Sequence, residues 1–262
     1  MTDWLEVCRA AVLDVQAVLA ELPTRAEREP VVGNGVGGDD TTAVDRAAED
    51  AILARFRDLD VTIVSEEAGR VGTGATVVVI DPIDGSLNAK RGIPFFSLSI
   101  AIADGETLDD VHFGYVYDFG SGEEWTAQRG EGARLDGSPL GAVRPKERIE
   151  ILSFEATLSS LIARDAPKVA DLAFRLRIMG SLALSLCHLA AGRVDGVCSL
   201  KSARSVDIAA AQLLCREVGL AIELFDGETP FGAAPLDLEG RSRVAAAGTQ
   251  ELCRSIAHAL SA

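Results

Sequence analysis

The stretch Val77–Asn88, VVVIDPIDGSLN, places a short apolar run directly before two carboxylates. Its four opening β-branched residues are typical of a strand buried on both faces. Asp81 and Asp84 follow this strand, and Gly85 and Ser86 stand at the predicted start of a helix. Carboxylates so placed suit Mg²⁺, which prefers oxygen ligands, and the free amides of a helix start suit a phosphate. The structural alternative is a strand–turn–helix junction in which Asp84 only caps the helix.

The composition of the 262-residue chain excludes several classes of partner. Hydrophobic residues make up 48% and charged residues 25%, as in ordinary globular proteins. No apolar run approaches the roughly 20 residues of a membrane span, and the acidic N-terminus does not resemble a signal peptide. The net charge of −15 disfavours nucleic acid and anionic membranes as partners. A phosphate site in this chain would need bound cations.

The cysteines indicate a reducing compartment. The five are odd in number, scattered and never spaced CxxC, which argues against both a disulfide framework and a zinc site. We therefore expect a cytoplasmic protein.

A pair of glutamates follows the strand upstream of the opening stretch. The predicted strand Val61–Val64 is followed by Ser65, Glu66 and Glu67. If this strand lies beside the one that precedes Asp81, one of the two glutamates comes next to that aspartate. The spacing does not choose between Glu66 and Glu67.

Two further aspartates stand at predicted helix starts. Asp45 lies in the first turn of a helix that ends near Phe56, and Asp207 opens the helix Ile208–Val218. An acidic residue there caps free amides or interacts with the positive end of the helix dipole. Taken alone, both aspartates have this ordinary structural interpretation.

The order of predicted elements indicates an α/β protein with an α+β N-terminal half. Strands joined by turns dominate residues 1–143, and strands alternate with helices in residues 144–262. We place a domain boundary there. Arg25–Gly38 is polar and glycine-rich and is predicted to be a loop, which could close over the site as a lid. Val169–Phe174 is predicted to be helical.

Together these motifs resemble the inositol monophosphatase family, the Mg²⁺-dependent, lithium-sensitive phosphatases related to fructose-1,6-bisphosphatases. DPIDGS at Asp81–Ser86 resembles the family's DPIDGT, and SEEAG at Ser65–Gly69 resembles its glutamate motif. SVDIAAAQLLCREVGL at Ser205–Leu220 resembles the second signature, WDxAAxxLLxxxAG. TAVD at Thr42–Asp45 resembles the segment that carries a helper aspartate. The resemblance runs from about Leu5 to the end of the chain.

Two departures from the family pattern are conservative in function. Ser86 replaces the usual threonine but keeps the hydroxyl, and Val206 stands where many members have a packing tryptophan. The resemblance implies a layered αβαβα sandwich with the site between its halves. It also implies a small phosphate ester as substrate and a homodimer as the common assembly.

By position, the resemblance implies two Mg²⁺ ions, for which Mn²⁺ can substitute. Glu66, Asp81 and the backbone carbonyl of Ile83 would hold the first. Asp81, Asp84 and Asp207 would hold the second. Family position therefore selects Glu66 over its neighbour, and Glu66 also counts among the implied catalytic residues.

The resemblance also assigns the phosphate and the attacking water. The amides of Gly85 and Ser86 would bind the phosphate, and Asp45 would pair with the Ser86 hydroxyl and orient the water. Asp39 and Asp40 could touch a third, weak metal or only cap a helix, and we favour the cap.

The substrate side resembles the archaeal-type branch that hydrolyses both fructose-1,6-bisphosphate and inositol phosphates. Leu200 falls where animal inositol monophosphatases carry a ring-binding glutamate, and the spacing Arg204-x-x-Asp207 matches the archaeal branch. Cations there could hold a second phosphate or could be ordinary surface charge. The substrate-binding candidates are Arg177, Gly180, Ser181, Lys201 and Arg204.

Three alternatives to this dual phosphatase remain. The first two are a strict inositol monophosphatase and a phosphatase of 3′-phosphoadenosine 5′-phosphate or NADP. The third, from another class, is a non-catalytic sugar-phosphate or metal-binding protein. The presence of every implied carboxylate and of the hydroxyl argues against the third.

Overall fold

The computed structural model describes residues 2–36, 40–144, 146–155 and 158–261. Within these ranges the helices are α1 Trp4–Glu21, α2 Arg25–Arg28, α3 Ala43–Phe56, α4 Ser86–Arg91, α5 Ser159–Asp165, α6 Leu182–Ala190, α7 Ser205–Glu217 and α8 Gln250–Ser261. The strands are β1 Val31–Asn34, β2 Asp40–Thr42, β3 Val61–Ser65, β4 Gly69–Gly72, β5 Thr76–Asp84, β6 Ser97–Ala103, β7 Val111–Asp118, β8 Glu124–Gln128, β9 Gly132–Leu135, β10 Ser138–Pro139, β11 Ile149–Glu155, β12 Ala173–Arg177, β13 Gly196–Ser199, β14 Ala221–Leu224 and β15 Val244–Ala247. Short 3₁₀ turns cover Leu108–Asp110, Ala166–Val169 and Phe231–Ala233.

The larger sheet has eight strands in the order β10-β9-β8-β7-β6-β5-β3-β4. Adjacent strands in this sheet run antiparallel, except β3 and β5, which run parallel to each other. Side chains alternate between its faces, as the period of a strand requires. Val78 and Ile80 pack with α1 and α3, whereas Val77 and Val79 pack on the opposite face.

The smaller sheet has five strands in the order β12-β11-β13-β15-β14. β11 runs parallel to β12 and β13, and β15 runs antiparallel to β13 and β14. One apolar cluster joins the larger sheet, α6, α7 and the inner face of the smaller sheet. The outer face of the smaller sheet packs against α8. The layers are therefore α1/α3, sheet, α6/α7, sheet and α8, which confirms the predicted αβαβα sandwich.

Two local predictions were wrong. The predicted loop Arg25–Gly38 contains α2 and β1, and β1 pairs with β2; its last two glycines lie outside the described residues. The predicted helix Val169–Phe174 is instead the end of a 3₁₀ turn followed by β12, because parallel pairing with β11 overrides the local helical pattern. The domain division near residue 143 stays a prediction.

No helix in the described part of the chain is both long enough and apolar enough to cross a bilayer.

Candidate active site

The parallel pairing of β3 and β5 brings two predicted ligands to the same sheet edge. Ser65 lies opposite Ile80 in this register, so Glu66, just past the end of β3, comes beside Asp81 of β5. The next pairing, between β5 and β6, is irregular between Asp81 and Asp84. The chain therefore turns at this point, and a hydrogen bond from the Ile83 amide to Asp81 Oδ1, 3.1 Å long, stabilises the turn.

The two adjacent glutamates face different surroundings. Glu66 accepts a hydrogen bond from the Arg204 guanidinium and lies near Asp81 and Asp207. Glu67 accepts a hydrogen bond from the Thr41 hydroxyl instead. The structure thus distinguishes two residues that their spacing could not, and Glu66 is the one that faces the other carboxylates.

The start of α7 contributes a carboxylate, Asp207, and a guanidinium, Arg204. Asp207 Oδ2 accepts from the Arg204 amide at 2.7 Å, and Oδ1 accepts from Arg204 Nη2 at 3.2 Å. Asp207 therefore caps its helix and also faces the cluster, so the structural interpretation does not exclude a functional one. Arg204 is only 6% exposed. Burial lowers the pKa of its guanidinium, but Asp207 and Glu66 more than offset this and raise it above the ordinary value.

Asp84 is oriented by the second half of the chain. Its Oδ2 accepts from the Ser181 hydroxyl and, at 2.7 Å, from the Ala183 amide at the start of α6. Gly85, and not Asp84, is the N-cap residue of α4. The alternative in which Asp84 only caps that helix is therefore wrong, because its carboxylate is held by α6.

The crowded carboxylates perturb one another. Burial raises the pKa of Glu66 to about 7, and Asp207 adds to this effect while Arg204 opposes it. Burial also raises the pKa of Asp84 to about 7. The pKa of Asp81 is raised by burial and then by the charges of its acidic neighbours. The raised pKa values mean that these carboxylates ionise together only when positive charge is added among them. A hard divalent cation, which prefers oxygen ligands, would supply that charge.

The predicted hydrogen bond between Asp45 and Ser86 is not formed in this structure. The Ser86 hydroxyl donates to the Ile83 carbonyl at 2.9 Å. Oδ2 of Asp45 accepts from the hydroxyl and amide of Thr42, at 2.5 and 3.1 Å, and so caps α3. The Asp45 carboxylate and the Ser86 hydroxyl thus each form a hydrogen bond with a residue three positions earlier in the chain. Oδ1 of Asp45 is buried, and no donor among the described residues reaches it.

Two glycines allow the turns from the two halves of the chain to meet. Gly85 has φ +93°, and a Cβ there would lie 3.0 Å from the Gly180 carbonyl oxygen. Gly180 has φ +91°, and its Cβ would lie 2.9 Å from Asn88 Nδ2. These backbone conformations and contacts require glycine at both positions.

The predicted substrate-side residues lie partly around one cleft of about 150 Å³. The residues around it include Asp84, Glu155, Gly180, Lys201, Arg204, Asp207 and Arg241. Arg177 is not brought to this cleft: it is exposed at the end of β12, and its Nη1 donates to the Leu176 carbonyl at 2.9 Å. Arg177 stays on the surface because β12 is an edge strand of the smaller sheet. Asp40 is exposed, and Asp39 lies outside the described residues.

Comparison with known proteins identifies the family. The model of the inositol monophosphatase family matches residues 4–262. The chain belongs to this family. The predicted enzyme class, a phosphoric monoester hydrolase of the inositol monophosphatase type, is thereby confirmed.

Relatives within the inositol monophosphatase family carry different names. A protein of Archaeoglobus fulgidus named fructose-1,6-bisphosphatase/inositol-1-monophosphatase is 36% identical over 248 residues, 94% of this chain and 93% of that protein. A Nus factor SuhB of Pasteurella multocida is 36% identical over 206 residues, 72% of this chain and 73% of that protein. The crystal structure of the MJ0109 gene product, inositol monophosphatase-fructose 1,6 bisphosphatase, superposes with a TM-score of 0.87 at 28% identity, covering 98% of this chain and 100% of that one.

Sequence reasoning missed Glu49, a fully buried carboxylate behind the glutamate turn. Its Oε1 accepts from the Ser65 hydroxyl at 2.5 Å, the Glu67 amide at 3.2 Å and the Ala68 amide at 2.9 Å. Glu49 stands four residues after Asp45 on α3, so both acids lie on the same buried face. The sequence does contain a signal for Glu49, because it lies four residues after Asp45 within the apolar stripe of α3.

Sequence reasoning also missed Glu155. It is the last residue of the buried strand β11, just as Asp84 is the last residue of β5. The carboxylate is 6% exposed and lines the cleft. The position of an acid at the end of a buried strand was available from the sequence.

A separate group of possible ligands lies away from this cleft. Asp118, Glu123 and His188 offer atoms within 4.8 Å of one another. Both Glu123 oxygens bind Arg193, at 2.6 and 2.7 Å, and Asp118 accepts from the Ser121 hydroxyl. These carboxylates are thus already used by internal donors.

Proposed function

We propose that this chain is a metal-dependent phosphomonoesterase that hydrolyses fructose-1,6-bisphosphate and inositol-1-phosphate. The observation that carries the proposal is the convergence of Glu66, Asp81, Asp84 and Asp207 beside the cleft that also contains Lys201. The carboxylates would bind divalent metal ions, and the metal ions together with Lys201 would bind a phosphate ester. The names of the archaeal relatives support the choice of substrate.

The acidic cluster would hold two Mg²⁺ ions. Glu66, Asp81 and the Ile83 carbonyl would bind one, and Asp81, Asp84 and Asp207 would bind the other. When bound, Mg²⁺ supplies a water of lowered pKa and neutralises charge on the phosphoryl and leaving oxygens. Mn²⁺ is the expected substitute. A third ion near Asp40 stays a weaker proposal.

The chain's own groups would orient the phosphate and the water. The Gly85 and Ser86 amides would donate to phosphate oxygens, which suits the open φ of Gly85. Oδ1 of Asp45 is a buried acceptor that no donor in the described part of the chain reaches, and it would accept a hydrogen bond from the attacking water. The Ser86 hydroxyl would pair with Asp45, and the Ile83 carbonyl would be available to a metal ion.

The cations beside the cleft would select the substrate. Lys201 and Arg204 lie on the leaving-group side, where a second phosphate of fructose-1,6-bisphosphate would sit. Ser181 and Gly180 would position the sugar side of the cleft. A strict inositol monophosphatase and a phosphatase of 3′-phosphoadenosine 5′-phosphate or NADP are the alternatives, and a non-catalytic binding protein is the alternative of another class.

We also propose a cytoplasmic homodimer. Family members are commonly dimers, and all five cysteines are buried free thiols, as a reducing compartment favours. Neither nucleic acid nor a membrane is expected as a partner, because of the acidic net charge.

The decisive experiment measures phosphate release with Mg²⁺ from fructose-1,6-bisphosphate, inositol-1-phosphate and 3′-phosphoadenosine 5′-phosphate at matched concentrations. Turnover of the first two, lost in Asp84→Asn, is the expected result. Turnover of the nucleotide alone would overturn the substrate assignment and keep the metal mechanism. No turnover by a protein that still binds Mg²⁺ would favour the non-catalytic binding protein.

A further inference from the structure

Glu155 is a buried carboxylate on which four donors converge. Its Oε1 accepts from the hydroxyls of Ser153 and Ser185, at 2.7 and 2.8 Å, and from the Met179 amide at 3.4 Å. Its Oε2 accepts from the Gly180 amide at 2.8 Å. Both oxygens are thus engaged by protein groups, with three donors at Oε1 and one at Oε2. These contacts fix the backbone that precedes α6.

That backbone leads directly to Asp84. Gly180 is followed by Ser181, which caps α6 by accepting from the Leu184 amide at 3.2 Å. The same Ser181 hydroxyl donates to Asp84 Oδ2, and the Ala183 amide donates to the same oxygen. The orientation of Asp84 therefore depends on where the turn at Gly180 is held. Two side chains hold this turn: Glu155 accepts from its amides, and Asn88 Nδ2 donates to its Met179 carbonyl at 2.8 Å.

An anchor restricts this turn because its central residue is a glycine, whose backbone can adopt many conformations. Gly180 has a positive φ of +91°, and β12, which precedes the turn, is an edge strand with exposed residues. Hydrogen bonds to an ionised acceptor are about twice as strong as neutral ones. A carboxylate that accepts the two successive amides Met179 and Gly180 thus fixes a segment that β12 constrains on one side only.

We propose that Glu155 is a positioning residue for the metal centre, acting through Gly180 and Ser181 on Asp84. The inference rests on the proposed function, since it assigns Asp84 as a metal ligand. Groups hydrogen-bonded directly to a metal ligand typically contribute 10–100-fold to metal affinity. Ser181 and the Ala183 amide are such groups for Asp84, and Glu155 acts on the turn that leads to both. Removal of the Glu155 carboxylate should therefore weaken metal binding without removing any ligand.

The test is an EPR titration of the full chain with Mn²⁺, which reports binding without any turnover. Glu155→Ala is expected to raise the Mn²⁺ dissociation constant at least about tenfold. Glu155→Gln should stay within about threefold of wild type, because its amide oxygen still accepts from the Gly180 amide and its NH₂ donates to the two serines. Only the long contact with the Met179 amide, 3.4 Å, is lost. Asp84→Asn identifies which bound Mn²⁺ belongs to the cluster.

Asp165→Asn is the matched control for losing a buried charge. Asp165 is fully buried, pairs with Arg164 and Lys168, and does not line the cleft. Its variant should keep wild-type Mn²⁺ affinity even if its melting temperature falls. An equal loss of affinity in this control would overturn the specific role of Glu155.

Two results separate the inference from the proposed function. A wild-type protein that binds no Mn²⁺ overturns both, whereas folded Glu155→Ala with wild-type affinity overturns only the role of Glu155. If Glu155→Ala does not fold, Glu155→Asp keeps the charge but withdraws the carboxylate by one methylene from the Gly180 amide. A folded Glu155→Asp protein with wild-type Mn²⁺ affinity would then contradict the inference, and a loss of about tenfold or more would support it.

Discussion

Arg204 Nη2 donates to Glu66, a residue 138 positions earlier in the chain, and also to Asp207 on its own helix. A single buried guanidinium thus joins two carboxylates that we assign to different metal ions. In the protein without metal, Arg204 supplies the positive charge that these acids require. In the proposed site, a metal ion and Arg204 would therefore compete for the same oxygens.

Substitution Arg204→Gln should destabilise the metal-free protein and improve its response to metal. Removing one partner of a buried ion pair leaves uncompensated charge and costs about 3–5 kcal/mol. We expect a lower melting temperature without metal and a larger rise on adding Mg²⁺ than in the wild type. Arg177→Gln is the control, since that arginine is exposed and away from the cleft. Equal Mg²⁺-induced shifts in Arg204→Gln and wild type would contradict the competition.

The stability of the metal-free protein should fall as pH rises from about 4.5 to 7. Glu66 and Asp84 have folded pKa values of about 7, above the ordinary values of 4.5 and 3.8. The folded state therefore binds more protons in this window, and its stability falls with increasing pH. Thermal unfolding in EDTA across this range measures the effect, and Asp84→Asn should reduce the slope.

Magnesium should reverse this pH dependence. Protons and Mg²⁺ compete for the same carboxylates, so binding strengthens as pH rises through 7. Ligand binding to the folded state raises the melting temperature. The Mg²⁺-induced rise should therefore be larger at pH 8 than at pH 6. Equal rises at the two pH values would argue against the cluster as the metal site.

The α/β class and the meeting of one of the two glutamates with Asp81 could be predicted from local patterns in the sequence, whereas the layered sandwich was implied by the family resemblance. Apolar strands ending in acids bring those acids to one edge once the strands are parallel neighbours. The choice between Glu66 and Glu67 needed the structure, because Arg204 and Thr41 approach from distant parts of the chain.

Other features were not predictable because their causes are tertiary. β12 forms against β11 despite a helical pattern, and Arg177 consequently ends an edge strand. Asp84 is held by α6, whose start lies almost 100 residues away in the sequence. Asp45 and Ser86 each bind a neighbour within three residues, so family position alone did not reveal their contacts in the metal-free protein.

Substitution Ser86→Ala should lower kcat about 10²–10⁴-fold while leaving the fold intact. The hydroxyl is only partly buried and makes one hydrogen bond, to Ile83, so its loss should change stability little. Its proposed role in relaying a proton with Asp45 accounts for the effect on rate. Ser86→Thr restores the hydroxyl and should retain activity. Steady-state phosphate release measures both variants, and an active Ser86→Ala protein would exclude the hydroxyl from catalysis.

Substitution Lys201→Ala should raise KM for fructose-1,6-bisphosphate about tenfold and affect inositol-1-phosphate less. Lys201 lines the cleft, and a charge-assisted contact to a second phosphate contributes about 1.5–3 kcal/mol. Arg177→Ala, outside the cleft, should leave both KM values unchanged. Equal changes for the two substrates in Lys201→Ala would mean that this lysine does not bind the second phosphate.

Substitution Glu49→Ala should destabilise the protein by about 2–4 kcal/mol and disorder the turn that carries Glu66. The Glu67 and Ala68 amides would lose their shared acceptor, and each buried donor left unsatisfied costs about 1–3 kcal/mol. Glu49→Gln keeps one oxygen for these amides and removes a buried charge whose Oε2 has only Arg46 nearby, at 3.7 Å. It should therefore be close to wild type in chemical unfolding. If both variants lost stability equally, the carboxylate charge rather than its hydrogen bonds would hold the turn.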